Sequence, residues 1–140
     1  MVQEKHLLGG SSSNHSGIDI GAPTGTNILA ISNGTVTFTG FKGAGGYTIT
    51  IQNNVYTISY CHVSPIMIVS IGQSIQKGQI ISQVGPKYVY NVPSNPYHDS
   101  NGKPTNGATT GAHLHLTMRE HNQLVNPLNY LSPTKVGVLK

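Results

Sequence analysis

Charge is what this chain has least of: eight Lys and Arg and four Asp and Glu among 140 residues. The cations Lys42, Lys77, Lys87, Lys103 and Arg119 are dispersed, so the net charge of +4 gathers into no basic patch or stripe. Nucleic acid is therefore not expected as a partner. The four acids, Glu4, Asp19, Asp99 and Glu120, offer no obvious pair for glycoside hydrolysis. A lone cysteine, Cys61, excludes an internal disulfide framework and a cysteine-based zinc knuckle. The opening Met1-Val2-Gln3-Glu4-Lys5-His6 has no apolar run, so neither a signal peptide nor membrane insertion is predicted. The expectation is a piece of a larger protein, or a chain that something else delivers.

What is abundant is glycine, with 17 residues, and threonine. That composition favours strands joined by tight turns, and the length suits one domain with a real core. Thr35-Val36-Thr37-Phe38-Thr39 alternates after an Asn33-Gly34 turn. Tyr47-Thr48-Ile49-Thr50-Ile51 alternates again, and Asn53-Asn54 predicts a hairpin into Val55–His62. In that strand Tyr56, Ile58, Tyr60 and His62 share a face, which turns Cys61 the other way and argues against a Cys-His nucleophile. Gly72–Gly85 echoes the steps of Gly25–Val36, a weak internal duplication of hairpins.

The strongest pattern is Gly111-Ala112-His113-Leu114-His115-Leu116-Thr117-Met118-Arg119. Leu114, Leu116 and Met118 form one face of a half-buried strand, and His113, His115, Thr117 and Arg119 form the other. The two imidazoles stand roughly 6–7 Å apart along the strand. Two readings stand: a pair that can converge on one metal ion, or an ordinary polar face. Upstream, His15 and Asp19 are four apart. Gly17 between them and Pro23 after them disfavour a helix. A straight strand would hold them about 13 Å apart, so a shared ion requires a bend near Ser16-Gly17. The other reading is a polar turn with Asp19 capping backbone amides. Residues 86–110 carry four prolines and no periodicity, a long loop whose Tyr88, Tyr90 and Tyr97 suit a binding wall. His98-Asp99 within it and His121 after the strand lack partners for a ligand set and are assigned to the surface. Asn126–Leu131 reads as one short helical turn.

Taken together, His15-x-x-x-Asp19, Gly21-Ala22-Pro23-x-Gly25-Thr26, Tyr60-x-His62 and Thr110-Gly111-x-His113-Leu114-His115 resemble the lysostaphin-like, LytM-type zinc peptidases of family M23. The resemblance covers roughly residues 15–131, in the expected order. It implies an all-β fold of duplicated-hybrid-motif type: a small antiparallel sheet or sandwich with long groove-forming loops. It implies one zinc ion held by His15, Asp19 and His115, with His62 and His113 unligated and catalytic. It further implies cleavage of peptides in bacterial peptidoglycan, outside the cell or at its wall. A virion or a secretion apparatus is another setting. The mild positive charge suits an anionic wall. The expected organisation is a lead-in at 1–14, a peptidase domain at 15–131 with 86–110 as an insertion, and a tail at 132–140, monomeric as isolated.

Three departures accompany the resemblance. The tyrosine frequent upstream of the first ligand is missing, and His6 is the candidate for its substrate contact. Thr117 stands where an acid is frequent, and the loop before His113 is unusually long. Three donors with an open position describe a catalytic zinc, and neutral histidines can serve as base and oxyanion partner. Sequence does not divide those roles between His62 and His113. Two alternatives come from other classes. One is a non-catalytic wall-binding or regulatory module, expected to lack the ligands. The other is a lipoyl-like carrier hairpin at Gly72–Gln79, in which the His and Asp set would have no purpose.

Overall fold

A computed structural model describes residues 17–127. His6 and His15 lie outside the described residues, as does most of the expected turn at 126–131. In chain order the strands are β1 (Ile18–Gly21), β2 (Asn27–Leu29), β3 (Gly34–Phe41), β4 (Tyr47–Gln52), β5 (Tyr56–Cys61), β6 (Ser74–Ile75), β7 (Ile80–Gln83), β8 (His113–Glu120) and β9 (Gln123–Val125). A 3-10 turn at Gly43–Gly45 precedes β4. The main sheet is antiparallel in the order β1-β8-β5-β4-β3-β6, with β9 pairing β8, and β2 and β7 form a second ribbon.

Alternation explains the layers. Ile18 and Ile20, Ile49 and Ile51, Ile58 and Tyr60, and Leu114, Leu116 and Met118 fill one buried cluster. Strict period-two burial along β8 turns its histidines to the opposite face. The Tyr60 hydroxyl, fully buried, accepts from the Ile31 amide at 3.1 Å, and burial drives its pKa far up.

The duplicated segments do not close on themselves as hairpins. β2 pairs β7 and β3 pairs β6, so each copy exchanges strands with the other. Of the carrier-like Gly72–Gln79 segment, Ser74–Ile75 pair with β3, and the turn after them is tied back by backbone amides: Gly78 donates to the Ala30 carbonyl and Lys77 to the Asn33 side chain.

Candidate active site

β8 lies between β1 and β5, in a register that sets Asp19 opposite His115 on one side and Cys61 opposite His115 on the other. Gly17, just before β1, has a φ of +109°. A Cβ there would meet the Leu116 carbonyl oxygen at 2.1 Å, so only glycine fits. The alternation of β1 and its register with β8 set Asp19 on the polar face of β8. Its Oδ1 accepts from His115 Nδ1 at 2.6 Å and lies 3.4 Å from His113 Nε2. Hydrogen bonding from His113 and then His115 holds the carboxyl well below the usual range, against the opposing effect of burial.

His62 departs from the expected strand face. Alternation with Ile58 and Tyr60 would bury it in the core, but β5 ends at Cys61 and His62 adopts φ +62°. Its amide donates to Gly45 at 2.8 Å, and its carbonyl accepts from Gly85 at 2.9 Å. The turned side chain joins Cys61 in lining the groove, its ring centroid 4.7 Å from His113 and 6.3 Å from His115. Cys61 is buried there, with its thiol pKa raised by desolvation, and is no thiolate nucleophile.

Backbone carbonyls fix both rings. His62 Nδ1 lies 2.7 Å from the Asn106 carbonyl and His113 Nδ1 lies 2.9 Å from that of Gly111. A carbonyl only accepts, so each Nδ1 carries a proton. Burial pushes the His62 pKa down to about 4, which keeps the ring neutral with Nε2 unprotonated. For His113 burial acts the same way, but the Asp19 carboxylate and the Gly111 carbonyl outweigh it and the pKa rises. Burial thus dominates at His62, and the Asp19 and Gly111 partners at His113.

The histidines, Asp19 and Cys61 line a cavity of about 560 Å³. Ala44, Gly45 and Ala108 contribute to its lining, and Thr117, Arg119 and Leu124 continue the β8 side. Of the 86–110 segment only Ala108 is among these residues. Tyr88 instead donates from its hydroxyl to Asp99, Tyr97 sits in a turn held by Asn95, and Tyr90 is exposed. Gly45 and Arg119 have no local sequence signal as groove residues beyond Arg119's place on the β8 polar face, and Asn106, which holds His62 from behind, has none either.

No group of three His, Cys, Asp or Glu able to hold a metal occurs among the described residues. What they supply is an ionised carboxylate oxygen and an imidazole nitrogen converging at Asp19 and His115. That oxygen and nitrogen donor chemistry fits zinc. The third expected ligand, His15, lies outside the described residues.

The antiparallel sheet thus carries one groove lined by three histidines and an aspartate. Comparison with known proteins names the family: Peptidase family M23 matches residues 13–127, and the chain belongs to it. It is 33% identical over 122 residues to the DD-carboxypeptidase/endopeptidase Mpg of Neisseria meningitidis, covering 86% of this chain and 23% of that protein. It is 30% identical over 126 residues to the murein hydrolase activator NlpD of Escherichia coli, covering 89% of this chain and 28% of that protein. The lysostaphin catalytic domain of Staphylococcus simulans superposes with a TM-score of 0.64 at 25% identity, over 83% of this chain and 77% of that one. The chain thus spans about a quarter of the length of these curated relatives. No helix among the described residues is long and apolar enough to cross a membrane.

Proposed function

We propose that this chain is a zinc-dependent endopeptidase that hydrolyses peptide bonds in bacterial peptidoglycan, at the wall or outside the cell. The observation that carries the reading is the convergence of Asp19, His115, His113 and His62 on one groove. Asp19 and His115, with His15, would hold the ion. When bound, zinc supplies Lewis-acid polarisation of a peptide carbonyl and acidification of water. The protein's own part is proton handling. His62 presents a neutral Nε2 to take a proton from the attacking water, and His113 is placed to donate to the developing oxyanion or the leaving amine. The β8 row from His115 to Arg119 would seat the extended peptide.

A second reading draws on the likeness to a murein hydrolase activator: a non-catalytic regulatory module of the same fold. Metal analysis and wall digestion separate the two. The enzyme is expected to carry about one zinc per chain, lost to a chelator together with release of peptide fragments from purified walls. Freshly purified protein that holds no zinc and takes none up would overturn the enzyme reading and leave the regulatory one.

A further inference from the structure

We infer that Asn106 is a positioning residue for His62, and that its amide fixes which nitrogen of that ring faces the groove. The inference uses the proposed role of His62 only for its rate readout; the tautomer itself is independent of activity.

Asn106 is fully buried, an unusual place for an amide unless each polar atom is used. Its Oδ1 accepts from the Tyr47 amide at 2.7 Å, which forces the orientation of the side chain because an N–H requires an oxygen. Nδ2 then donates to the Val63 carbonyl at 3.0 Å and to the Pro86 carbonyl at 3.3 Å. The Asn106 backbone amide donates to Lys87 at 2.9 Å. One residue therefore ties together the start of β4, the peptide after His62 and the neck of the 86–110 excursion. The remaining group, its carbonyl, is the acceptor for His62 Nδ1–H.

Two glycines make room for this arrangement. A Cβ on Gly46 would meet the Asn106 carbonyl oxygen at 2.3 Å, and one on Gly85 would meet the Val63 oxygen at 2.3 Å and Asn106 Nδ2 at 2.8 Å. Removing the amide frees a carbonyl that has no other side-chain anchor, and it leaves the Tyr47 N–H and the Val63 oxygen unpaired in a buried place. The His62 ring then exchanges its proton between nitrogens, and the fraction with a basic Nε2 toward the groove falls.

Nitrogen-15 NMR of the histidine rings in metal-free protein tests this directly. The parent is expected to show His62 protonated at Nδ1 alone, whereas Asn106→Ala shows a mixture or the other tautomer. Asn106→Asp keeps the Tyr47 acceptor and loses both donors, so it should fall between them. A protein whose excursion is cut at 88–103, with Asn106 retained, should keep the parent signature. With zinc and wall peptide, Asn106→Ala should lower kcat about 10- to 100-fold, as a displaced proton acceptor would, with KM within about twofold. Parent protein with His62 protonated at Nε2 would overturn the inference whether or not any variant folds. So would an unchanged tautomer in folded Asn106→Ala. A parent that cleaves no peptide while keeping the expected tautomer counts against the peptidase reading and leaves this inference standing.

Discussion

Along β8 and β5 the groove floor is held by paired strands, whereas residues 86–110 combine scattered backbone hydrogen bonds with a few side-chain amides and one carboxylate. The floor repeats one rule. Leu114, Leu116 and Met118 of β8 are buried in alternation, and the cross-strand neighbours follow from the register with β1 and β5. Bonds are redundant there, so one side chain can be exchanged for chemistry without loss of the frame. The excursion has isolated bridges, Tyr88 with Thr105 and His98 with Pro104, and depends on Asn106 and Asp99. The difference teaches that the floor should tolerate removal of its functional side chains, while the excursion should fail at its anchors.

The largest expected effects test the floor. Asp19→Ala or His115→Ala removes a donor from an already sparse set, so bound zinc and wall lysis should both disappear. His62→Ala and His113→Ala should retain zinc and lose roughly a hundredfold or more in rate. All four should keep the parent's far-UV circular dichroism, because the core face of β8 is untouched. Zinc loss in His113→Ala with retention in His115→Ala would reverse the assignment of ligand and catalyst.

His62 also gives the floor a pH signature. Its folded pKa of about 4 lies below the ordinary 6.5. The unfolded chain therefore binds the proton first as pH falls, and stability present above about 6.5 is lost on the way down to 4. Fully expressed, the shift amounts to roughly 3 kcal/mol in metal-free protein. Denaturant midpoints measured from about pH 7.5 to about pH 4.5 with a chelator present should fall more steeply for the parent than for His62→Gln. Equal slopes would mean that burial does not hold this ring neutral.

The excursion separates from the floor when it is shortened. A Gly-Ser turn in place of 88–103, with Asn106 kept, should leave fold and zinc intact and shift relative rates among wall types. If Tyr88, Tyr90 or Tyr97 touches substrate, each such tyrosine should account for a shift of about fivefold, equivalent to about 1 kcal/mol. Identical digestion of every wall type would make the tyrosines surface only. Carrying the cut through 107 removes the Asn106 clamp as well and should lower the melting temperature.

The same contrast governs what the sequence can reveal. β8, β4 and β5 are legible because period-two burial is local, whereas the closeness of Gly17 to the Leu116 carbonyl depends on the pairing of β1 with β8 and is not. The pairing of β5 with β8, on which a shared groove for His62 depends, is a long-range choice that no local pattern carries. The side taken by His62 escapes alternation for a related reason. Its φ is set by bonds to Gly45 and Gly85, residues 17 and 23 positions away by their numbers, and alternation cannot anticipate a strand ending one residue early. Asn106 looks like an ordinary Asn-Gly turn, since its partners Tyr47 and Val63 come from elsewhere in the chain. The tyrosines invite a binding role by composition, yet the hydrogen bonds of Tyr88 and Tyr97 lie within the excursion itself.

The smallest expected effect concerns Asp99, the excursion's second anchor. Its Oδ1 accepts from the Asn101 and Lys103 amides, each at 2.9 Å, and Oδ2 accepts from the Tyr88 hydroxyl. The Tyr88 bond first, and the Lys103 amide next, hold the carboxyl below its ordinary pKa. A depressed carboxyl contributes order that is complete above its unfolded pKa and is lost as pH falls through the folded one. The carboxyl group is open to solvent, so global stability should not register its loss. Asp99→Asn should therefore leave the melting temperature and zinc content at parent values. Hydrogen exchange at the Asn101 and Lys103 amides should rise, and the parent should reach the same rates, after correction for intrinsic exchange, only in acid. Unchanged protection of those two amides in Asp99→Asn would show that the hairpin around Gly102 is held by its backbone bonds, Asp99 to Lys103 and Gly102 to Asp99, and that Asn106 alone anchors the excursion.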